Sequence, residues 1–307
     1  MNYTLHQLQV FLKVAEQQSI TKAAEQLHLT QPAVSIQLKN FQDQFAIPLT
    51  EVIGRKLYVT EFGKEIAKAA EKILNEVHAI NYKTASFGGL LAGRLNISIV
   101  STGKYVMPYF LSDFMSLHPG IELVMDVTNK TFVVESLSRN EVDFAMVSVL
   151  PQHMEVNTVP LMKNKLFFVA SSKQEFGKSP SRKKLFTELP LIYRENGSAT
   201  RNAMENFITK NEFPVRKKLE LTSNEAVKQA VVAGLGCSIM PLIGIKNELL
   251  SNDLQIIPVK GLPLSTRWNL IWLKSKKLSP AAEAYLQYIK EDKDRIILEN
   301  FDWIKEF

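Results

Sequence analysis

Cysteine is almost absent from the 307-residue chain, which contains only Cys237. A single cysteine excludes an internal disulfide framework and a zinc site built from clustered cysteines. Cys237 lies in the apolar run GLGCSIMP, which favours a small buried hydrophobe over the alternative, a redox-sensing thiol. The five histidines are scattered without the spacing of metal ligands. We therefore expect no metal site and no cofactor.

Long apolar runs are also missing. No stretch approaches the roughly 20 consecutive apolar residues that a helix needs to span a bilayer. The N-terminal residues MNYTLHQLQVFLKVAEQQ lack the basic start and the unbroken apolar core of a secretory signal. We therefore expect a cytoplasmic protein without a membrane partner.

Positive charge is in excess, but it is unevenly distributed. The net charge is +6 and the pI is about 9.1, which favours an anionic partner. Residues 1–60 carry five Lys or Arg against four Asp or Glu, whereas residues 163–220 carry thirteen against six. The basic excess therefore lies outside the N-terminal segment, and bulk charge alone does not indicate what that segment binds.

Apolar spacing divides the N-terminal part into two zones. Residues 1–60 are dense in helical periodicity. Residues 61 to about 85 predict one long helix, whose apolar positions alternate in steps of four and three at Ile66, Ala70, Ile73, Val77 and Ile80. Such a seam predicts pairing with a second helix, and the alternative is packing on its own domain. The glycine-rich segment 86–94 then predicts a linker.

Residues 94–307 alternate between strand and helix patterns. Strands are predicted at 95–100, 122–127, 143–149, 165–171, 190–194, 218–222, 237–241, 254–259 and 267–274, and helices at 104–117, 131–139, 198–210, 224–233 and 280–290. This alternation is typical of an α/β fold with a parallel sheet covered by helices on both faces.

A helix-turn-helix is predicted between Ser19 and Gln44. A short helix, ITKAAEQL, is joined by a tight turn to QPAVSIQLKNFQDQF, whose Pro32 suits the first helical turn. Val34, Leu38 and Phe41 are expected to point inward. Candidate contacts to base edges or phosphates are Lys22, Gln31, Pro32, Ser35, Gln37, Lys39 and Asn40. The alternative is a structural three-helix module with a solvated polar face.

A wing is predicted directly after this motif. Residues 47–63 offer two strands around a turn at Gly54, with Arg55 and Lys56 at its tip. A basic hairpin tip suits a phosphate or minor-groove contact, and a solvated basic turn is the alternative.

The segments SITKAAEQLHLTQPAVSIQLKNFQDQF, IPL and GRKLYVTEFGKE, followed by the long helix, resemble the winged helix-turn-helix of LysR-type transcriptional regulators. The resemblance is close over about the first 85 residues. It implies a sequence-specific regulator that binds double-stranded promoter DNA, a two-lobed effector domain like that of periplasmic binding proteins, and a homodimer or homotetramer. RNA polymerase is a further implied partner.

The resemblance also implies domain boundaries. Residues 1–60 would form the winged helix-turn-helix, and residues 61–93 the linker helix and hinge. Residues 94–307 would form the effector domain. Its lobe I would span about 94–162 and 266–307, and its lobe II about 163–265.

Two positions depart from the family pattern. Ile36 follows the serine of the recognition helix where the family commonly has arginine. The common Leu-Phe-x-Arg before the wing is replaced by Leu49-Thr50-Glu51-Val52, which removes an aromatic and a basic residue. These departures leave the target sequence and the packing of the wing open.

Small polar residues follow several predicted strands, where parallel α/β folds bind ligands. The candidate effector site comprises Ser101, Thr102, Gly103, Thr128, Asn129, Ser148, Gly197, Ser198, Thr200, Arg201 and Ser223. In the resembling family the corresponding loops contact a small anionic or polar effector. The alternative for each polar residue is an ordinary helix N-cap. Arg201 has two alternatives, a bidentate ligand contact or a structural ion pair.

Two other function classes compete with a regulator. The sequence has neither a Gly-x-Ser-x-Gly nucleophile motif nor a Gly-x-x-x-x-Gly-Lys phosphate loop, so we expect no enzyme. A solute-binding protein of the two-lobed periplasmic type would account for residues 94–300, but it would leave the first 85 residues without a role.

Overall fold

In the computed structural model, the described residues are 3–54, 56–87, 91–176, 185–186, 190–213 and 218–307. Internal contacts divide the chain into two units, residues 1–90 and 91–307. No helix in the described part of the chain is long and apolar enough to cross a bilayer.

The first unit is a winged helix-turn-helix followed by a long helix. Its elements are α1 (Leu5–Gln17), α2 (Ile20–Leu27), α3 (Gln31–Gln42), β1 (Thr50–Ile53), β2 (Lys56–Val59) and α4 (Glu61–Phe87). The strands β1 and β2 form an antiparallel hairpin. The predicted linker at 86–94 lies partly outside the described residues.

Hydroxyl caps set where the first three helices begin. The hydroxyls of Thr4, Ser19 and Thr30 each accept a hydrogen bond from a backbone N–H in the first turn of α1, α2 and α3. Each cap satisfies an N–H that has no partner inside its helix. The helix α2 ends at His28, which adopts the left-handed conformation at φ 54°. The turn of the helix-turn-helix is therefore specified by local side-chain chemistry.

The first unit has its own hydrophobic core. Phe11, Val34, Phe41 and Leu49 are fully buried in it, and the first half of α4 joins them through Ala70. The heptad seam of α4 is therefore divided. Ala70 packs on its own unit, which was the alternative to pairing with a second helix. Ile73 and Ile80 are instead 40% and 63% exposed.

Gly63 allows α4 to start directly against the wing. A Cβ at this position would overlap the Leu49 carbonyl oxygen and lie 2.9 Å from Val59 Cγ1. The same junction is held by Thr60, whose hydroxyl donates to the Pro48 carbonyl at 2.7 Å and accepts from Gly63 N–H at 2.9 Å.

The second unit is a mixed α/β domain. Its strands are β3 (Ala92–Val100), β4 (Gly120–Thr128), β5 (Phe144–Val147), β6 (Val156–Ser171), β7 (Leu191–Arg194), β8 (Lys218–Leu221), β9 (Ser238–Pro241), β10 (Leu254–Ile256) and β11 (Leu264–Leu273). Its helices are α5 (Met107–Leu117), α6 (Lys130–Ser138), α7 (Ala199–Lys210), α8 (Asn224–Val232), α9 (Lys246–Leu250) and α10 (Pro280–Phe301), with 3-10 turns at Ser101–Tyr105, Leu242–Gly244 and Asp302–Glu306.

The main sheet is mixed, which corrects the expectation of a parallel sheet. Its strand order is β10-β6-β11-β5-β3-β4, and β9 also pairs with β6. The strand β3 pairs in parallel with β4 and β5, and β7 pairs in parallel with β8. The strands β6 and β11 pair antiparallel with each other and with their other neighbours. Pairing direction depends on tertiary connection and is invisible to local periodicity.

Two sets of buried side chains give this unit two lobes. One core combines residues 95–162 with residues 268–301, and we call this half lobe I. Two adjoining clusters between residues 166 and 259 form lobe II. The strands β6 and β11 run through both halves, and their pairing is irregular between Arg267 and Asn269.

Two elements are longer than their sequence patterns predict. The strand β6 begins at Val156, nine residues before the predicted start at 165, because its first half pairs with β11 in lobe I. The helix α10 continues to Phe301 instead of ending at 290, because Ile296 and Phe301 are also buried in the lobe I core.

Cys237 lies in the core of lobe II. Its side chain is fully buried, and burial raises the pKa of the thiol to about 12. A protonated, inaccessible thiol is a poor nucleophile and a poor redox sensor. The structure therefore favours the interpretation of Cys237 as a small buried hydrophobe.

We expect Gly63→Ala to destabilise the first unit by about 1–3 kcal/mol, because the added methyl group must displace the Leu49 carbonyl or the Val59 side chain. Urea unfolding followed by circular dichroism would measure the shift. Lys64→Ala changes an exposed side chain of the same helix and should leave the midpoint almost unchanged. Equal midpoints for the two variants would contradict this account of the junction.

We also expect Cys237 to resist alkylation in the folded protein, because its thiol is buried and stays protonated at mildly alkaline pH. Mass spectrometry after iodoacetamide treatment would measure the modified fraction. The same treatment in guanidinium chloride is the control and should modify the thiol fully. Rapid modification of the native protein would show that the core around Cys237 opens.

Candidate functional site

The helix α3 buries one side and exposes the opposite one. Val34, Leu38 and Phe41 are at most 4% exposed. With 3.6 residues per turn, the residues on the opposite side are Pro32, Ile36, Lys39 and Asn40, and all four are exposed. We call these four residues the outer stripe of α3.

The remaining predicted DNA contacts flank the outer stripe. Gln31 is exposed at the first turn of α3, and Lys22 is exposed on α2. Ser35 and Gln37 are half-buried on opposite flanks of the helix. Ser35 therefore adjoins one edge of the stripe and Gln37 the other, whereas Gln31 is exposed because it begins the helix.

The wing is a two-residue hairpin, as the turn at Gly54 predicts. Ile53 pairs with Lys56, and Gly54 has φ +56°, a conformation that favours glycine. Lys56 is exposed at the start of β2. Arg55, the other predicted contact at the tip, lies outside the described residues.

A side-chain contact ties α3 to the wing. Gln42 Oε1 accepts hydrogen bonds from Thr50 N at 2.9 Å and from Thr50 Oγ1 at 2.6 Å. Thr50 stands where the resembling family commonly has a buried aromatic. In this chain, Thr50 instead makes hydrogen bonds that join the first strand of the wing to α3.

The candidate effector residues of lobe I gather after β3. Thr102 is 5% exposed, and its hydroxyl accepts a hydrogen bond from Trp268 Nε1 at 3.3 Å. Gly103 is buried, and a Cβ there would lie 3.1 Å from Met146 Sδ. The first turn after β3 is therefore packed against the point where β11 passes between the lobes.

Two hydrogen bonds join the lobes beside this turn. Asn224 Nδ2 of lobe II donates to Ser101 Oγ of lobe I at 3.1 Å. Tyr105 OH donates to Glu225 Oε2 at 3.3 Å. Burial is the main cause that raises the pKa of Tyr105 to about 12, so its hydroxyl keeps the proton that it donates.

A third approach between the lobes occurs at Gly197. Its φ is +84°, and a Cβ there would lie 2.6 Å from Thr131 Oγ1 and 3.5 Å from Asn129 Oδ1. Asn129 caps α6 in lobe I, and Ser198, the next residue after Gly197, caps α7 in lobe II. The structure therefore brings Asn129 and Gly197 together across the cleft.

The other predicted cleft residues lie around these contacts. Thr128 ends β4 and Ser148 follows β5, and both are half-buried. Thr200 is 9% exposed in the first turn of α7. Ser223 caps α8 by accepting a hydrogen bond from Ala226 N at 3.0 Å. Asn129, Ser198 and Ser223 are N-caps, because the side-chain oxygen of each accepts a hydrogen bond from a backbone N–H.

Arg201 is held inside lobe II. Its guanidinium donates to Glu205 at 2.9 Å, to Glu220 at 2.6 Å and to the Arg194 carbonyl at 2.9 Å. The hydrogen bond to Glu220 is the largest cause of its raised pKa. Of the two alternatives for Arg201, a ligand contact or a structural ion pair, these contacts favour the structural ion pair.

Arg194 is a candidate that the sequence pattern does not reveal. It is 4% exposed, and its Nε and Nη2 bind the two carboxylate oxygens of Glu195 at 2.7 and 2.8 Å. Its Nη1 is buried and has no hydrogen-bond partner among the described residues. A buried charged donor without a partner is costly, so it marks a place where a ligand or water oxygen is expected.

Arg194 lies at the carboxyl end of β7, near the segment of lobe II that contacts lobe I. Along β7, Ile192 packs with α8, so Arg194, two residues on, lies on the same face of the sheet. It pairs with Leu221 at the carboxyl end of β8, just before Asn224 begins α8 and contacts lobe I. The only sequence signal for Arg194 is its place at the end of a predicted strand, and the only signal for Asn224 is its place at the start of a predicted helix.

Comparisons with known proteins agree with this arrangement. Residues 5–64 match the family model described as bacterial regulatory helix-turn-helix protein, lysR family, and residues 88–294 match the LysR substrate binding domain. The HTH-type transcriptional activator CmpR of Synechocystis sp. is 38% identical over 290 residues, which cover 94% of this chain and 95% of CmpR.

Two further relatives extend the comparison. A RuBisCO operon transcriptional regulator of Acidithiobacillus ferrooxidans is 37% identical, with 93% of each chain covered. The regulatory domain of CcmR from Synechocystis PCC6803, solved in complex with 2-PG, is 31% identical with a TM-score of 0.61. The match covers 68% of this chain and 98% of that domain.

The two family matches account for both units, including the N-terminal residues that a solute-binding protein would leave without a role. The predicted resemblance is thereby confirmed, and the chain belongs to the LysR family of transcription regulators.

Proposed function

We propose that this chain controls transcription by binding promoter DNA through α3 and the wing, under the control of a small anionic effector. The observation that carries the DNA-binding half is the outer stripe of α3, which lies opposite a fully buried apolar side in a capped helix-turn-helix. A recognition helix of this kind presents its exposed side to the major groove.

We propose distinct roles for the exposed residues. The amides of Gln31, Gln37 and Asn40 and the hydroxyl of Ser35 suit base edges or phosphates, and Lys22, Lys39 and Lys56 suit phosphates. Ile36 is 58% exposed in the middle of the stripe, and its apolar side chain suits the methyl group of thymine. Pro32 and Arg55 complete the proposed DNA-contacting set.

The proposed assembly is a homodimer or homotetramer. The exposed Ile73 and Ile80 on α4 support pairing of this helix with a second copy. A two-fold dimer would place two recognition helices on symmetric half-sites. In this proposal, residues 1–60 bind DNA, residues 61–93 pair and connect, and residues 94–307 bind the effector.

The proposed effector is a small anion bound between the lobes. Arg194 supports the charge of the ligand, because its buried Nη1 lacks an acceptor. The proposed site comprises Arg194, Asn224, Ser101, Thr102, Gly103, Thr128, Asn129, Ser148, Gly197, Ser198, Thr200 and Ser223. Arg201 holds the carbonyl of Arg194 and would act as a positioning residue.

The proposed mechanism is a shift between arrangements of the two lobes. A ligand that bonds to both sides of the cleft stabilises the arrangement in which those groups converge. That shift would change the spacing of DNA-binding units and the contact with RNA polymerase. We propose a regulatory rather than a catalytic role, exercised in the cytoplasm where promoter DNA is located.

We expect Gln31→Ala and Ile36→Ala to weaken binding to a selected operator by about 1–3 kcal/mol each, with little effect on unrelated DNA. Lys39→Ala should weaken both, and it should reduce the slope of log affinity against log salt by about one. Selection from random duplexes would supply the operator, and fluorescence anisotropy would measure affinity.

Lys68→Ala, which removes an exposed lysine from α4, is the matched control and should preserve both affinities. Failure of the wild-type chain to select any sequence would reject the regulator proposal. Normal operator affinity in all three α3 variants would show that neither Gln31 nor the outer stripe contacts DNA.

We expect Arg194→Gln to weaken effector binding by about 2 kcal/mol or more, because the anion loses a buried charged donor. The first ligand to test is 2-PG, followed by a panel of small phosphorylated and carboxylated anions, with isothermal titration calorimetry as the measurement. Arg194→Lys should restore part of the affinity.

Arg139→Gln is the control, because Arg139 is exposed on lobe I and pairs only with nearby surface carboxylates among the described residues. Unchanged ligand affinity in Arg194→Gln would show that the guanidinium serves only its pair with Glu195.

A further inference from the structure

A cavity lies between the lobes, and none of its lining residues belongs to the proposed effector site. Its volume is about 420 Å³, within the range of small-molecule sites. Lobe I contributes Lys104, Tyr105 and Tyr109, and lobe II contributes Gly244 and Lys246. Trp303 of the C-terminal 3-10 turn completes these walls.

Two lysines in this cavity form no direct ion pair with a described carboxylate. Within the described part of the chain, no carboxylate oxygen lies within 4.0 Å of the ammonium group of Lys104 or Lys246. A third lysine, Lys228, differs because it pairs with Glu225 at 3.1 Å and with Glu248 at 2.7 Å. The walls therefore carry two unpaired positive charges, one from each lobe.

Aromatic rings position both ammonium groups. Lys104 Nζ lies 5.0 Å from the centre of the Tyr105 ring, and Lys246 Nζ lies 4.5 Å from the centre of the Trp303 ring. Such cation–π contacts hold a charge in place without neutralising it. An anion entering the cavity would thus meet two oriented ammonium groups beside flat apolar surfaces.

The cavity also depends on how the lobes meet. The Tyr105 ring lies against Gly244 of lobe II, where a Cβ would come within 3.0 Å of it. The hydroxyl of Tyr105 donates to Glu225, which is also in lobe II. A ligand held by Lys104 and Lys246 would therefore bridge the same two lobes as the effector cleft.

We propose that this cavity is a second binding site, selective for a small dianion such as a phosphate monoester or a dicarboxylate. The two ammonium groups set the charge, and the volume sets the size. Because the ligand contacts both lobes, its binding would be coupled to the lobe arrangement and reciprocally to the effector. This site goes beyond the proposed function and does not require it.

The experiment titrates the full-length chain with inorganic phosphate and with succinate, at constant ionic strength maintained by chloride. Calorimetry gives the affinity, and the difference in tryptophan emission between the wild type and Trp303→Phe reports on the cavity. Lys104→Gln combined with Lys246→Gln should weaken saturable binding at least about tenfold. Lys260→Gln combined with Lys290→Gln removes two exposed lysines and should bind like the wild type.

Arg194→Gln separates this site from the effector cleft. We expect the Arg194→Gln variant to keep dianion binding in the cavity lined by Lys104 and Lys246. The proposal is overturned if Arg194→Gln abolishes the binding, because the anion then occupies the cleft. It is also overturned if the Lys104 and Lys246 double variant binds like the wild type, or if neither dianion shows saturable binding to the wild-type chain.

Discussion

The antiparallel pairing of β6 with β11 is the constraint on which the regulatory unit depends. These strands are the only secondary-structure elements in the described residues whose hydrogen-bonded ladder runs through both lobes. The lobes otherwise meet through side chains, as between Asn224 and Ser101. This ladder joins the two halves and is irregular between Arg267 and Asn269. The relative angle of the halves therefore depends on weaker side-chain contacts, which a ligand can alter.

Most of the polar groups described at the lobe boundary have hydrogen-bond partners. A group without a partner there therefore marks a place where a ligand is expected. The hydroxyl of Thr102 is engaged by Trp268, and the guanidinium of Arg201 by Glu205 and Glu220. Arg194 keeps one donor without a partner, and Lys104 and Lys246 keep their charges without a carboxylate among the described residues. One buried donor on Arg194 and two lysine charges in the cavity therefore have no described partner, and an anion could satisfy each of them.

In the DNA-binding unit, local side-chain chemistry decides most of the structure. Its helix boundaries depend on hydroxyl caps and on left-handed residues such as His28, so they can be predicted from sequence. The side of α3 that faces outward follows from the burial of Val34, Leu38 and Phe41. The bond between Gln42 and Thr50 could not be predicted, because it joins two elements that only the tertiary fold brings together.

The local order of elements can be read from the sequence alone: a capped helix-turn-helix, a glycine hairpin, a long helix and alternating strands and helices. These features depend on short-range periodicity and backbone preference, which a single chain displays directly. Three features could be seen only in the tertiary structure. They are the mixed direction of the sheet, the extension of β6 back to Val156, and the difference between Arg201, whose guanidinium is paired, and Arg194, whose Nη1 is not. Periodicity predicts that a side chain is buried, but only the surrounding fold supplies its partners, as it does for Arg201 and does not for Nη1 of Arg194.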